Sequence, residues 1–304
     1  MTQRLILEIS GPRMGSTNLR QHLSAFDRVE ALGELFLPDF PLAEDLMADV
    51  AEAMAARGLR RPADRAALAE VLRADPIEGI EAALDACVRR GTPHPVLKLG
   101  MSHLSAPQMD QLIRHFRPFG MVLHRAPIDQ FISREKAVSV RTWFRRDTTG
   151  IKPRITPASF RGFRARQENH LRMGLHLLRR HGCPHLVFVY EDLYAQPARV
   201  HELLARRFEE AGFDLGAHQG WVSEMPRQDN SPSRAGKVEN WDVFLAGMGK
   251  GPPVDMERYR IEGSSVLMNA QILAERLLPR SALRGLARRI GISGMPERGA
   301  KAGG

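Results

Sequence analysis

Gly11-Pro-Arg-Met-Gly-Ser-Thr17 places one arginine inside a turn bracketed by two glycines, directly after the apolar run Leu5–Ile9 and before a helix-forming stretch. A strand that breaks into a glycine-bearing turn and then opens a helix exposes consecutive backbone N–H groups. The positive end of the helix dipole points the same way, so the arrangement holds an anion, and a phosphate group above all. Arg13 adds a mobile charge to Gly15, Ser16 and Thr17. The nucleotide-hydrolysing loop G-x-x-x-x-G-K-[ST] needs a wider glycine spacing and a lysine before the hydroxyl residue. Here Gly11 and Gly15 are one residue too close and Ser16 follows Gly15 directly. Metal-dependent NTP hydrolysis is therefore disfavoured.

A second cation lies at the end of another apolar run, Met121–His124, in Arg125-Ala-Pro-Ile-Asp-Gln-Phe-Ile-Ser133. Pro127 suits the first turn of a helix. Arg125 can then offer its guanidinium fork to a second phosphate, with Ser133 about two turns further on. Ordinary helix-start polarity is the plainer reading of that pair taken alone.

Taken with the opening loop, Pro12-Arg-Met-Gly-Ser-Thr17 and Arg125-x-Pro-x5-Ser133 resemble the two phosphate-binding elements of sulfotransferases that use 3′-phosphoadenosine 5′-phosphosulfate (PAPS). Tyr190-Glu-Asp-Leu193 with Pro197 is similar to that family's strand-end Y-E-D-L segment. Arg234-Ala-Gly-Lys-Val-Glu-Asn-Trp241 is similar to its late R-K-G-x-x-G-x-W loop. The resemblance covers residues 5 to 241 and is closest to bacterial carbohydrate sulfotransferases of the trehalose and Nod-factor type. It implies that Arg13, Gly15, Ser16 and Thr17 hold the 5′-phosphosulfate, and that Arg125, Ser133, Arg234 and Gly236 contact the 3′-phosphate. Tyr190 would approach the nucleotide. Ala235 and Glu239 depart from the usual lysine and glycine, which removes one cation; Lys237 is the nearest replacement.

Sulfuryl transfer leaves charge on a 5′-phosphate oxygen, so cations and N–H donors aimed there lower the barrier. Arg13 suits that task. A poorly acidic acceptor hydroxyl needs a carboxylate or imidazole to take its proton. Glu34, just past Val29–Leu32, is the first candidate, and the resemblance places an acid there. His103, in Lys98-Leu-Gly-Met-Ser-His103, is the second, and Lys98 is a candidate for binding acceptor hydroxyls or anionic groups. A surface carboxylate, a structural histidine and a solvated lysine are the plainer readings. Trp241 reads as a packing anchor.

Elements must hold these residues. Leu5–Ile9, Val96–Leu99, Met121–His124 and Leu186–Tyr190 read as buried parallel strands, with Val29–Leu32 a weaker fifth. Helical periodicity is expected over Thr17–Ala25, Leu42–Arg57, Arg65–Arg73, Ile77–Arg90, Ala106–Phe116, Pro127–Arg145, Ala158–Arg180 and Ala198–Gly212. Alternating strands and helices predict a doubly wound parallel sheet, with ligands at the carboxyl ends of the strands. The expected fold is α/β and P-loop-NTPase-like: three layers, a central parallel sheet flanked by helices, and a helical insertion. We expect a single domain over 1–290, with 38–93 a helical insertion or lid shaping an acceptor cleft. A long cofactor-covering loop is expected over 224–253 and a frayed tail over 291–304.

Lysine and arginine number 44 against 35 acids, a formal net charge of +9 that suits anionic ligands. Basic residues crowd Arg134–Arg180 and the tail from Arg280, where Leu283, Leu286 and Ile290 fall at near-helical spacing. Such a tail either packs on the domain or makes peripheral contact with anionic membrane. No apolar run is long enough to span a bilayer, so a cytoplasmic protein is expected, peripheral at the inner membrane face if the tail binds lipid. Cys87 and Cys183, far apart in sequence, suggest reduced thiols, and no metal is expected. A small-molecule or glycan acceptor is the expected partner, with no nucleic acid, since aromatic residues make up only 6%. Oligomeric state is left open. The competing classes are a degenerate P-loop kinase or ATPase and a non-enzymatic polyanion binder.

Overall fold

Continuous apolar runs, rather than alternating ones, belong to strands covered on both faces, and that requires parallel pairing with helical crossovers. The computed structural model describes residues 4–141, 147–195, 197–220, 229, 231, 233–249, 255–262 and 264–278. It contains a five-stranded sheet in the order β2-β3-β1-β4-β5. The strands are β1 (Ile6–Ile9), β2 (Val29–Gly33), β3 (His94–Leu99), β4 (Phe119–His124) and β5 (His185–Val189). Every pairing is parallel. All five expected strands are present, and β2, the weakest in sequence, forms one edge. β1 and β3 are buried along their whole length, whereas the edge strand β5 is only partly covered.

Helices alternate with these strands along the chain: α1 (Ser16–Ser24), α2 (Glu44–Ala56), α3 (Arg65–Ala74), α4 (Pro76–Arg89), α5 (Ala106–Phe116), α6 (Pro127–Ser139), α7 (Pro157–Arg180), α8 (Tyr190–Ala195) and α9 (Pro197–Glu210). Further on come α10 (Arg234–Lys237), α11 (Trp241–Met248) and α12 (Ser265–Leu277). The segment expected as a helical insertion is α2 to α4, the crossover between β2 and β3. Asp64 caps α3 through the Ala67 N–H at 2.8 Å, and Asp75 caps α4 through the Glu78 N–H at 3.2 Å. α7 lies close on the sheet because two glycines allow it. A Cβ on Gly174 would come within 2.7 Å of Ile9, and one on Gly120 within 2.3 Å of Leu178.

The chain divides into two compact units, residues 1–104, 108–125 and 174–226 in the first, and 105–107, 126–173 and 227–304 in the second. The first holds the whole sheet. At its periphery three imidazoles meet: His201 of α9 lies 4.8 Å from the His22 ring of α1 and 3.9 Å from the His218 ring. The second unit has its own core, in which Phe131 of α6 packs on Phe160 and Phe163 of α7, joined by Val238 and Phe244.

Three expectations need correction. α6 ends at Ser139 rather than Arg145, because Arg141 turns the chain at φ 50°. Tyr190 starts α8 instead of closing the last strand. Within 224–253 the chain is not continuous loop: α10 and α11 form there, because Phe244 is fully buried and Trp241 packs beside it. Residues 142–146 and the basic tail from Arg280 lie outside the described residues. Among those described, no helix is long and apolar enough to cross a membrane.

Candidate active site

β1 crosses to β2 on one side of the sheet while β4 crosses to β5 on the other, so the two crossovers diverge above the β1/β4 seam. Ligands of open parallel sheets sit in such a crevice, at the carboxyl ends of the strands. The loop after β1 and Arg125 after β4 both lie there. The loop bends through two left-handed residues, Arg13 at φ 65° and Gly15 at φ 87°. The Gly11 N–H donates to Met14 Sδ at 3.1 Å, which folds the loop on itself. Gly15 then caps α1 and has no side chain of its own to bond the first N–H groups of the helix. Those donors and the helix dipole remain directed at the loop.

Gly15 is required for a second reason. A Cβ there would meet Tyr190 Cδ2 at 2.4 Å. The other side of the story is Arg125, whose guanidinium carbon stands 4.0 Å from the Tyr190 ring centroid and whose Nη1 donates to the Arg13 carbonyl at 2.6 Å. Arg125, Tyr190, Arg13 and Gly15 thus form one stack. Arg125 Nε is buried and has no hydrogen-bond partner among the described residues.

Beneath the loop lies a buried ionic network. Glu8 of β1 and Lys98 of β3 are register partners in adjacent parallel strands, both almost wholly buried. Lys98 Nζ donates to Ser16 Oγ at 3.0 Å and to Glu34 Oε1 at 2.8 Å. His103 Nε2 lies 3.4 Å from Glu34 Oε2. His103 Nδ1 lies 2.9 Å from the Gly100 N–H and 3.2 Å from the Lys98 carbonyl, so the main chain fixes the ring with Nε2 facing Glu34. Burial opposes ionisation of Glu34, but the His103 hydrogen bond and the Lys98 charge outweigh it and bring its pKa down to about 2. For Glu8 burial wins over the same lysine and pushes the carboxyl up. Arg20 extends the network outward, its Nη2 lying 3.5 Å from Thr17 Oγ1 and its guanidinium 5.1 Å from the Phe40 ring.

The first unit therefore assembles Arg13, Gly15, Ser16, Thr17, Glu34, Lys98, His103, Arg125 and Tyr190. Ser133, Arg234 and Gly236 belong to the second unit. Ser133 stands on α6, and the Gly236 N–H donates to Ser233 Oγ at 3.1 Å within the short α10. Arg234 is bound by carboxylates: Glu257 accepts from both Nη1 and Nη2, the latter at 2.8 Å, and Asp129 takes two bonds at 2.9 and 2.7 Å. Glu257 and Asp129 together raise its pKa further. A phosphate on Arg234 has to compete with two carboxylates, so its assignment as a 3′-phosphate ligand gains no support here. Lys237 lies 3.6 Å from Asp229, which also accepts from the buried Lys136 at 2.8 Å.

Sequence reasoning missed Glu8, Arg20 and Phe40. Glu8 carried a signal: an acid in an otherwise apolar buried strand, opposite a lysine in another, demands a partner. Nothing local marked Arg20 or Phe40. No protein-family model matches the chain, and no curated protein matches it significantly.

Proposed function

We propose that the protein is a PAPS-dependent sulfotransferase with a P-loop-like anion loop, acting on a hydroxyl of a carbohydrate, glycolipid or small metabolite. The observation that carries this reading is the meeting, at one strand-end crevice, of an anion loop, two arginines, and a lysine that links the loop's Ser16 to a carboxylate. The residues suit a doubly anionic ligand: the loop needs a glycine where a Cβ would strike Tyr190, and Arg125 keeps a buried Nε without a partner among the described residues. Gly15, Ser16 and Thr17 would hold the 5′ end with Arg13 and Lys98, and Arg125 the second phosphate. PAPS supplies the sulfuryl group and a phosphate that leaves with its charge.

The chain's own part is to place charge and to move a proton. Arg13, Lys98 and the first N–H groups of α1 stabilise anionic oxygens without reorganising. Glu34 is the proton acceptor, and His103 is a positioning residue, since its Nδ1 is held by Gly100 and its Nε2 faces Glu34. In the ion pair with Lys98, Glu34 is a weak base. When an anion draws Lys98 toward Ser16, Glu34 loses part of that pairing and gains basicity.

Two competing readings carry less. A kinase needs a loop hydroxyl free for magnesium, and Ser16 Oγ instead accepts from an ammonium group. A polyanion binder has no use for the buried Glu34–Lys98–His103 network. Calorimetric titration with 3′-phosphoadenosine 5′-phosphate tests the proposal. We expect binding that weakens at least tenfold in Arg125→Ala. Absence of binding, or tight magnesium-dependent ATP binding in its place, would refute the sulfotransferase reading.

A further inference from the structure

A cleft of about 360 Å³ lies in the crossover after β2, between the loop that follows β2 and the start of α2 and α3. Phe40, Leu42 and Met47 give it apolar walls, Asp39 and Glu44 stand at the rim, and Arg65 closes one side. Two contacts join it to the candidate active site. Arg65 Nη2 donates to the Glu34 carbonyl at 2.9 Å and its Nε to the Phe40 carbonyl at 3.1 Å. Phe40 packs over the Gly33 backbone, where a Cβ would come within 2.2 Å of its ring, and against Arg20, the residue that reaches Thr17.

The cleft is held open by α3. Arg65 grips Glu34 and Phe40, while Arg73 bonds the Phe36 carbonyl, so two guanidinium groups clamp the same loop through its backbone. None of these three bonds uses a carboxylate, and among the described residues Arg65 Nη1 is buried without a hydrogen-bond partner. Binding clefts are commonly preformed in this way, apolar with a few polar groups that fix orientation. A bare sugar, with hydroxyls around its ring, would set them against Phe40, Leu42 and Met47 and lose their hydration. An aliphatic or aromatic group would not.

We propose that this cleft seats the apolar body of the acceptor, so that the alcohol presented to Glu34 is amphipathic rather than a free sugar. This rests on the sulfotransferase reading and narrows its substrate class. Polar rim groups leave room for a hydrophilic head, so an alkyl or aryl glycoside or a similar lipid-like alcohol fits. Each methylene seated there tightens binding by about fourfold.

The test uses the full chain labelled at its methionine methyl groups, with the Met47 signal assigned through Met47→Leu. Octyl β-glucoside, kept below its micelle concentration, should shift the Met47 methyl resonance saturably. Hexyl β-glucoside, two methylenes shorter, should bind about fifteenfold more weakly, and methyl β-glucoside should leave the signal in place. Leu42→Asp should weaken octyl glucoside binding at least tenfold while the titration with 3′-phosphoadenosine 5′-phosphate stays unchanged. An unmoved Met47 signal with octyl glucoside, an equal shift with methyl glucoside, or indifference to Leu42→Asp overturns the cleft assignment. A flat titration with the nucleotide instead overturns the sulfotransferase reading and the acceptor role with it, whatever Met47 does.

Discussion

Glu34 is both the best-placed proton acceptor in the site and, with a pKa of about 2, a weak one in the free protein. The two facts make a definite kinetic expectation, because kcat/KM reports the ionisations of the free enzyme. Between pH 4 and 7 Glu34 stays ionised, so no acidic limb should appear in kcat/KM. An acidic limb within that range would remove Glu34 from the role of base. Glu34→Gln should lower kcat by about 10²–10⁴-fold, the usual range for a lost general base, with nucleotide affinity retained. Full turnover in that variant would remove Glu34 from the role. Sequence alone singled out Arg13, Lys98, Glu34 and His103, because they stand at or just beyond strand ends, but not Glu8, Arg20 or Phe40. It did not show that Lys98 bridges Ser16 and Glu34, since that contact links residues 16, 34 and 98 through the register of three strands.

At the scale of elements, the unit formed by β1, its loop and α1 is the one most constrained by backbone geometry. Gly15→Ala adds a methyl group at φ 87°, where an L-residue is strained by about 1–2 kcal/mol, and drives it into Tyr190. Chemical denaturation should show a loss of about that size or more, and Arg125 should lose its stacked ring. Gly15→Ala combined with Tyr190→Ala should recover the steric part but not the backbone part. A single variant as stable as the parent would contradict the loop geometry. Strands were legible as continuous apolar runs, and the long helices by their 3.6-residue period. The short helices α10 and α11 were not, because Gly, Pro, Ser and Asn around them read as loop. The decisive contacts are distant ones: Asn240 exchanges two hydrogen bonds with the Ile155 backbone, at 3.0 and 2.9 Å, and Phe244 meets Phe160. The early end of α6 was hidden for the opposite reason, since residues beyond Ser139 continue a helical pattern that the turn at Arg141 interrupts.

For the whole molecule, stability in mild acid should depend on the histidine cluster. Burial, reinforced by the neighbouring His218, lowers the His201 pKa to about 4. A histidine with a depressed folded pKa contributes stability above its unfolded value near 6.5, and that contribution is lost as pH falls from about 6.5 towards 4. The groups facing it are His218 and His22, with Phe26 stacked on the ring. The urea midpoint of the native protein should therefore drop across this window, and His201→Phe should flatten the drop. An unchanged slope would assign the acid sensitivity elsewhere. Glu34 acts in a lower window, its contribution declining only below about pH 4.5.

Arg125 ties the carboxyl end of β4 to the loop that follows β1 through a single bond to a main-chain oxygen. The same guanidinium is therefore a structural tie-bar and, in the function proposed, the charge that meets the second phosphate, so shape and affinity cannot be tuned separately at this position. Lysine would keep the charge yet lose the planar fork that bridges carbonyl and ring, and the loop would meet its anion from a looser starting point.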